Sequence, residues 1–466
     1  MPLRARIMSG ALQTRRDYAS SNDIEAITRP IEGDDPEDVM FSSIYGLRTI
    51  ELNRPKKLNS LNGSMARKIM ATLKEWEKSE LANVIVIQGA GRAFCAGGDV
   101  AALANWNREG ASGSQKSADY FALEYKLDHL IAAYRKPYIA YMDGITMGGG
   151  VGLSIHAPFR IATENTVFAM PETTIGFFPD VGASFFLPKM DGSLGTYLAL
   201  TSEQLKGVDV FYHGIATHYI HSTSLPALSH RLSELQFKDY ASSTQVHALI
   251  ASTIAEFDTG LPSPRPQITG EQRQMIDAIF SADSPLQILT GLQDIMSSGD
   301  HTQELKQWAN KTIKTIRERS PTSVAVTLRQ MRKAKQWNIA ETFQKELDIA
   351  THFMHHPDFV EGVTARLINR TKERPKWNPN SLEEVTDAQV KAFFTPVSGE
   401  RLALLETGDH ATFADYPHAR LALPTEKEIL AVSEGRSTEE IVRYFLKEKE
   451  GKVGVREKVE EVMERH

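Results

Sequence analysis

The stretch 147-MGGGVGLS-154 sets Gly148, Gly149, Gly150 and Gly152 in one short uncharged run. Glycine at that density cradles a phosphate, lets two backbones touch, or aims bare amides at a ligand. A dinucleotide fingerprint fails on spacing. From Gly89 and Gly91 the third glycine falls on Phe94, from Gly148 it falls on Leu153, and no G-x-x-x-x-G-K follows. Upstream, YIAYMDG (138–144) reads as a strand, and residues 149–156 read as a helix led by glycine.

The pattern continues outward from this junction. IYGLRTIELN (44–53) reads as a strand, and SMARKIMATLKEWEKS (64–79) as a helix with Met65, Ile69, Leu73 and Trp76 on one face. VIVIQG (84–89) is an apolar run of the kind that suits a strand covered on both faces, and SADYFALEYKLDHLIAAYRK (117–136) is a long helix. Alternating strands and helices imply an α/β layer architecture, and from about Gly270 the chain reads as mostly helical. The expected divisions are a leader over 1–18, a linker over 19–40, a core over 41–265, a helical region over 266–398 and an extension over 399–466. In that extension Thr425 with Glu428, and Ser437 with Glu440, have capping-box spacing. No internal repeat is legible.

Among 466 residues, 53 Lys and Arg stand against 59 Asp and Glu, so the net charge of -6 gives no pull toward a nucleic-acid backbone. The single cysteine, Cys95, excludes an internal disulfide and a multi-cysteine zinc site. The longest uncharged stretch, Gly144 to Phe159, is too short for a bilayer. Arg4, Arg6, Arg15 and Arg16 precede any acid, the bias of a mitochondrial transit peptide, with RRDYAS resembling a matrix-protease site that would start the mature chain near Ala19.

Several chemistry-bearing residues read as structural. Cys95 in FCAGGD reads as a small buried apolar residue, Ser154 and His156 are too close along a helix to face each other, and His352, His355 and His356 lack metal-site spacing and read as surface histidines. Two features carry chemistry. Glu124 shares the stripe of Tyr120, Leu127 and Ile131 on an apolar helix face. In AMPETTIGFFPDVGASFFLP (169–188), Glu172 and Asp180 bracket Ile175, Phe177 and Phe178 in a proline-bounded loop, and two carboxyls beside aromatic walls have their pKa values pushed apart, as acid/base work on water requires.

GRAFCAGGDV (91–100), GITMGGGVGLS (144–154) and MPETTIGFFPD (170–180), in that order, resemble the enoyl-CoA hydratase/isomerase (crotonase) superfamily. Within it the chain is most similar to the 3-hydroxyisobutyryl-CoA hydrolase family, since SPTSVAVTLRQM (320–331) and DFVEGVTARLINRTKERPKWNP (358–379) also match; the likeness runs from about Ser42 to Phe394. The resemblance implies a core of repeated ββα units with a helical C-terminal region that often mediates oligomers, hence a homo-oligomer. It implies an oxyanion hole from the amides of Ala96 and Gly149, catalytic Glu172 and Asp180, and substrate contacts from Glu124, Gly149, Glu172 and Asp180. Where hydratases carry a second glutamate this chain has Gly152, which disfavours hydration. The implied activity is hydrolysis of an acyl-CoA thioester in valine breakdown in the mitochondrial matrix, with no metal, no cofactor, no membrane and no direct nucleic-acid contact. The alternatives are an enoyl-CoA hydratase or isomerase, and, because of the extension, a protein associated with the mitochondrial ribosome, as some fungal relatives are.

Overall fold

The computed structural model describes residues 21–466 apart from 239, 263–264, 398–400 and 407. The leader, its cut beside Ala19 and the junction at 399 fall outside the described residues. Among the described residues ten strands form two sheets: β1 (Val39–Ile44), β2 (Leu47–Leu52), β3 (Val84–Gly89), β4 (Ala93–Cys95), β5 (Tyr138–Met142), β6 (Ile145–Met147), β7 (Phe159–Ala162), β8 (Val167–Ala169), β9 (Leu205–Lys206) and β10 (His218–Tyr219). The larger sheet has the order β1-β2-β3-β5-β7-β10 and the smaller β4-β6-β8-β9. The pairs β3/β4, β5/β6 and β7/β8 each give one strand to each sheet. The chain therefore repeats a geometric unit that no sequence periodicity announced.

Helices α1 (Ser21–Thr28), α2 (Gly63–Lys78), α3 (Val100–Asn107), α4 (Ala111–Ala132) and α5 (Gly149–Ile155) belong to this half. Two expectations need correction. The segment 44–53 is not one strand: β1 and β2 pair antiparallel from Val39↔Leu52 to Ile44↔Leu47, and the chain reverses at Tyr45, whose φ is 47°. The supposed linker 19–40 holds α1 and the start of β1. Both misses have one cause, a short polar segment whose order comes from tertiary pairing and not from its own periodicity.

Alternation along β3 fixes the layers. Ile85 and Ile87 face the large core shared with α2 and α4, while Val84 and Val86 face a second core with Leu228, Leu232, Ile250 and Ile254; all four β3 side chains are fully buried. The smaller sheet carries α5 against it. A Cβ on Gly150 would strike the carbonyl of Cys95, with the carbonyl carbon at 2.9 Å, so glycine lets the helix backbone lie directly on β4.

From Gly270 onward the chain is helical, as expected. Both expected capping boxes form, at Ser437/Glu440 and Thr425/Glu428. The C-terminal segment is built into the fold. Glu426 accepts from Arg465 Nη2 at 3.0 Å and Arg273 Nη2 at 3.3 Å, Lys458 Nζ meets Asp191 Oδ2 at 2.7 Å, and His129 on α4 bonds Ala411 O at 2.8 Å. Among the described residues no helix is long and apolar enough to cross a membrane.

Gly150→Ala should destabilise the fold by about 1–3 kcal/mol, the range of overpacking in a tight core, because the atom it meets is backbone that cannot swing aside. A urea midpoint equal to that of the unsubstituted chain would disprove the close approach of α5 to β4.

Candidate active site

Where β6 runs into α5, Gly148 takes φ 46° and the helix begins at Gly149. The Gly149 amide, at the positive end of the helix, has no acceptor among the described residues. The oxyanion expectation at Ala96 is corrected here. Ala96 N–H donates to Leu58 O at 3.0 Å and is therefore committed, whereas Gly98 N lies 3.4 Å from the point that a Cβ on Gly149 would occupy, and it too has no acceptor among the described residues. The free amide pair is Gly98 and Gly149, two donors at the crossing of two backbones where no side chain fits.

Carboxyl groups surround this point. Glu124 Oε1 stands where a Cβ on Gly149 would be, and Glu172 Oε1 lies 3.2 Å from the equivalent point on Gly148. Glu172 opens a turn of 3-10 helix, Glu172–Ile175, so the stretch after Pro171 is more ordered than the loop expected there. Asp180 follows Pro179, and its Oδ2 accepts the Tyr125 hydroxyl at 2.7 Å. Glu124, Glu172 and Asp180 are all at most 5% exposed. The aromatic walls are in place: Phe177 stacks on Phe121 with centroids 4.9 Å apart, and Phe178 on Phe353 at 5.5 Å.

Burial dominates the electrostatics. It pushes the Glu172 carboxyl well above the ordinary range, with the nearby charge of Asp180 as the next cause. Asp180 is raised to about 7 by burial, partly offset by the Tyr125 hydroxyl. Glu124 is raised well above its usual range by burial and then by Asp180. The structure thus gathers Glu124, Glu172 and Asp180 into one electrostatically linked group, with Glu124 packed against Gly149.

Sequence reading missed four members of the surroundings. Tyr125 holds Asp180. Asp128 lies one turn beyond Glu124 on α4, a spacing that was legible. Glu346 and Gln330 come from the helical region and clamp the Asp180 loop: Gly182 N and Ser184 N donate to Glu346 at 2.7 and 2.8 Å, and Gln330 Nε2 donates to Pro179 O and Ser184 Oγ, both at 2.7 Å. Between the clamps Val181 has φ 54°, a left-handed conformation unfavourable for a β-branched residue, and His156 Nε2 donates to its carbonyl at 2.9 Å. No local motif signals a contact 164 residues away.

The residues read as structural behave accordingly, with one correction. Cys95 is fully buried, and burial pushes its thiol up to about 12, away from reactivity. Ser154 bonds Gly150 O at 2.8 Å within its own helix. His356 is not a surface histidine: it caps the helix Pro357–Val363 by accepting from Asp358 N, and burial lowers it to about 4. Among the described residues no three His, Cys, Asp or Glu side chains are placed to hold a metal ion.

Comparison with known proteins agrees with this fold. The sequence profile of the enoyl-CoA hydratase/isomerase family matches residues 47–394. The chain is 51% identical to the small ribosomal subunit protein mS47 of Neurospora crassa, over 100% of this chain and 91% of that protein. It is 41% identical to the mitochondrial 3-hydroxyisobutyryl-CoA hydrolase of Gallus gallus, over 80% of this chain and 92% of that one. Among solved structures, a carnitinyl-CoA dehydratase from Mycobacterium thermoresistibile superposes with a TM-score of 0.67 at 32% identity, covering 78% of this chain and 98% of that chain.

Buried acids with raised pKa values make stability depend on pH in a stated direction. Asp180 at about 7 and Glu346 at about 8 keep their protons in the folded chain while the unfolded chain has lost them. Their stabilising contribution is complete below the unfolded values near 4 and is lost as pH rises through 7 and 8. The buried histidines His129 and His156, lowered to about 4, act only below pH 6.5. The urea midpoint should therefore fall between pH 6.5 and 9, and the slope should flatten in Glu346→Gln; equal slopes would show that Glu346 is already ionised in the fold.

Proposed function

The chain belongs to the enoyl-CoA hydratase/isomerase family, and we propose that within it the protein is an acyl-CoA thioester hydrolase acting on 3-hydroxyisobutyryl-CoA in the mitochondrion. The observation that supports this reading is a buried Glu172 against Gly148, electrostatically linked to the buried Asp180, next to Gly98 and Gly149 amides that have no acceptor among the described residues.

In this mechanism the thioester carbonyl oxygen lies between the two amides, which stabilise the negative charge that develops on it. Glu172 supplies the carboxylate, either by taking a proton from the attacking water or by attacking the carbonyl carbon itself to give an anhydride that water then cleaves. In both routes the carbon–sulfur bond breaks, the electron pair leaves on the CoA sulfur, and that sulfur ends protonated. The charge on Asp180 raises the proton affinity of Glu172, so Glu172 is a stronger base once deprotonated. Gly152 leaves the site without the second glutamate of the hydratases. The implied location is the matrix, and the implied pathway step lies in valine breakdown.

A second reading has its own support. The match to the Neurospora small-subunit protein runs over the whole chain, including the C-terminal segment that packs onto Asp191 and Arg273. A role as a mitochondrial small-subunit component is compatible with a retained active site. Co-sedimentation of tagged full-length protein with mitochondrial small subunits is expected on this reading, and a wholly free pool would remove it.

Thiol release from purified full-length protein tests the hydrolase. Glu172→Gln should lower kcat/KM by roughly 10²–10⁴, the usual contribution of a positioned acid/base group. In the unsubstituted enzyme the rate should climb with pH above the ordinary carboxylate range, because burial and the charge of Asp180 hold the Glu172 proton there. Normal turnover in Glu172→Gln would remove that residue from the chemistry, and faster hydration of crotonyl-CoA than thioester hydrolysis would favour the hydratase alternative.

A further inference from the structure

Gly152 has a neighbour that gives it a second meaning. Helices α4 and α5 lie side by side, and two carboxyls of α4 face two glycines of α5: Glu124 against Gly149, and one turn further Asp128 against Gly152. Asp128 Oδ1 and Oδ2 stand 2.6 and 2.7 Å from the point that a Cβ on Gly152 would occupy. The volume that a side chain at 152 would enter is filled by a carboxyl delivered from the other helix.

Asp128 is 0% exposed, and among the described residues neither of its oxygens has a hydrogen-bond partner; Glu124 Oε1 and Glu172 Oε2 share this condition. The contrast with Asp180 and Glu346 is informative, since those two receive a tyrosine hydroxyl and two backbone amides. A buried polar group without a partner is rare in a settled interior and marks a place where a ligand group completes the bonding. Asp128 lies one helical turn, about 5 Å, beyond Glu124 along α4, on the same side as the Gly149 amide and within the electrostatic reach of both Glu124 and Asp180.

We propose that Asp128 is a specificity-determining residue of the acyl pocket, where its carboxyl hydrogen-bonds a hydroxyl on the acyl chain and selects hydroxyacyl thioesters over their alkyl counterparts. Burial holds the group protonated, so it can donate to the hydroxyl oxygen and accept from the hydroxyl hydrogen at once. A pocket floor of hydrocarbon would tolerate either chain. A polar floor rejects the chain that leaves it unpaired, and sites built to bond a substrate hydroxyl discriminate far more strongly than sites that read a missing methylene. The choice of thioester rests on the hydrolase reading.

The test compares 3-hydroxyisobutyryl-CoA with isobutyryl-CoA, which differ by one oxygen, on the full-length protein. Selectivity is read as the ratio of kcat/KM where the thioesters are cleaved and as the ratio of Kd by calorimetry where they are not. The unsubstituted protein should favour the hydroxyacyl thioester at least tenfold; Asp128→Leu, which keeps the number and branching of heavy atoms, should cut that ratio tenfold or more, and Asp128→Asn, which still donates and accepts, should keep it within threefold. A purely structural residue would shift both thioesters together and leave the ratio unchanged. An unchanged ratio in Asp128→Leu that melts like the parent, or no preference in the parent, overturns the proposal. Asp128→Ala takes its place if the leucine variant does not fold. Cleavage of neither thioester would sink the hydrolase reading, and the Kd ratio would still decide the role of Asp128.

Discussion

A carboxyl group moved out of water is costly unless it is neutral or well bonded, and this chain buries Glu124, Asp128, Glu172, Asp180 and Glu346 in one neighbourhood. Much of the surrounding architecture answers to that constraint. Glycines at 148, 149 and 152 give the carboxyls room against α5, Tyr125 and the Glu346 clamp hold the Asp180 loop, and stacked phenylalanines exclude the solvent that would otherwise screen them. Desolvation raises every member of the group, and neighbouring carboxyl charge adds to the rise for Glu124, Asp128, Glu172 and Glu346.

The parts of this arrangement that were legible in the sequence are those whose signal is local. Helical spacing placed Glu124 on the inner face of α4, proline bounds and aromatic neighbours marked Glu172 and Asp180, and the apolar run of β3 announced a strand covered on both sides. The hairpin at Tyr45 was not legible, because its pairing partner decides it, and the repeat of strand pairs was implied by the family resemblance and by no periodicity of the sequence itself. Glu346 and Gln330 were invisible for the same reason: their partners lie across the chain, and a glutamate in an amphipathic helix reads as solvent-facing until its neighbour is known. The amide without an acceptor lies two residues beyond the one the resemblance implied. Only the hydrogen bond from Ala96 to Leu58 shows which amide of the Ala96–Gly98 turn is spent and which is free.

The C-terminal segment belongs to the same mechanical unit as the site. Ala411 bonds His129 on α4, Phe413 packs on Phe185 beyond the Asp180 loop, and Arg160 beneath α5 donates to the Tyr416 hydroxyl at 2.9 Å. A segment that the sequence set apart as an extension therefore braces the elements that hold Glu124, Gly149 and Asp180. The match to the Neurospora ribosomal protein takes in this segment, since it covers 100% of the chain, while the match to the Gallus hydrolase covers 80% of it.

The left-handed backbone at Val181 has a consequence for inheritance. Asp180 is encoded in the first half of the chain, yet its carboxyl is aimed by a conformation that valine would not choose and that Glu346, in the second half, keeps in place. The two halves cannot drift independently. An exchange of helical regions between relatives would carry the aim of the acid with it, so that a recombinant chain that keeps Glu124, Glu172 and Asp180 would lose the geometry that orients Asp180.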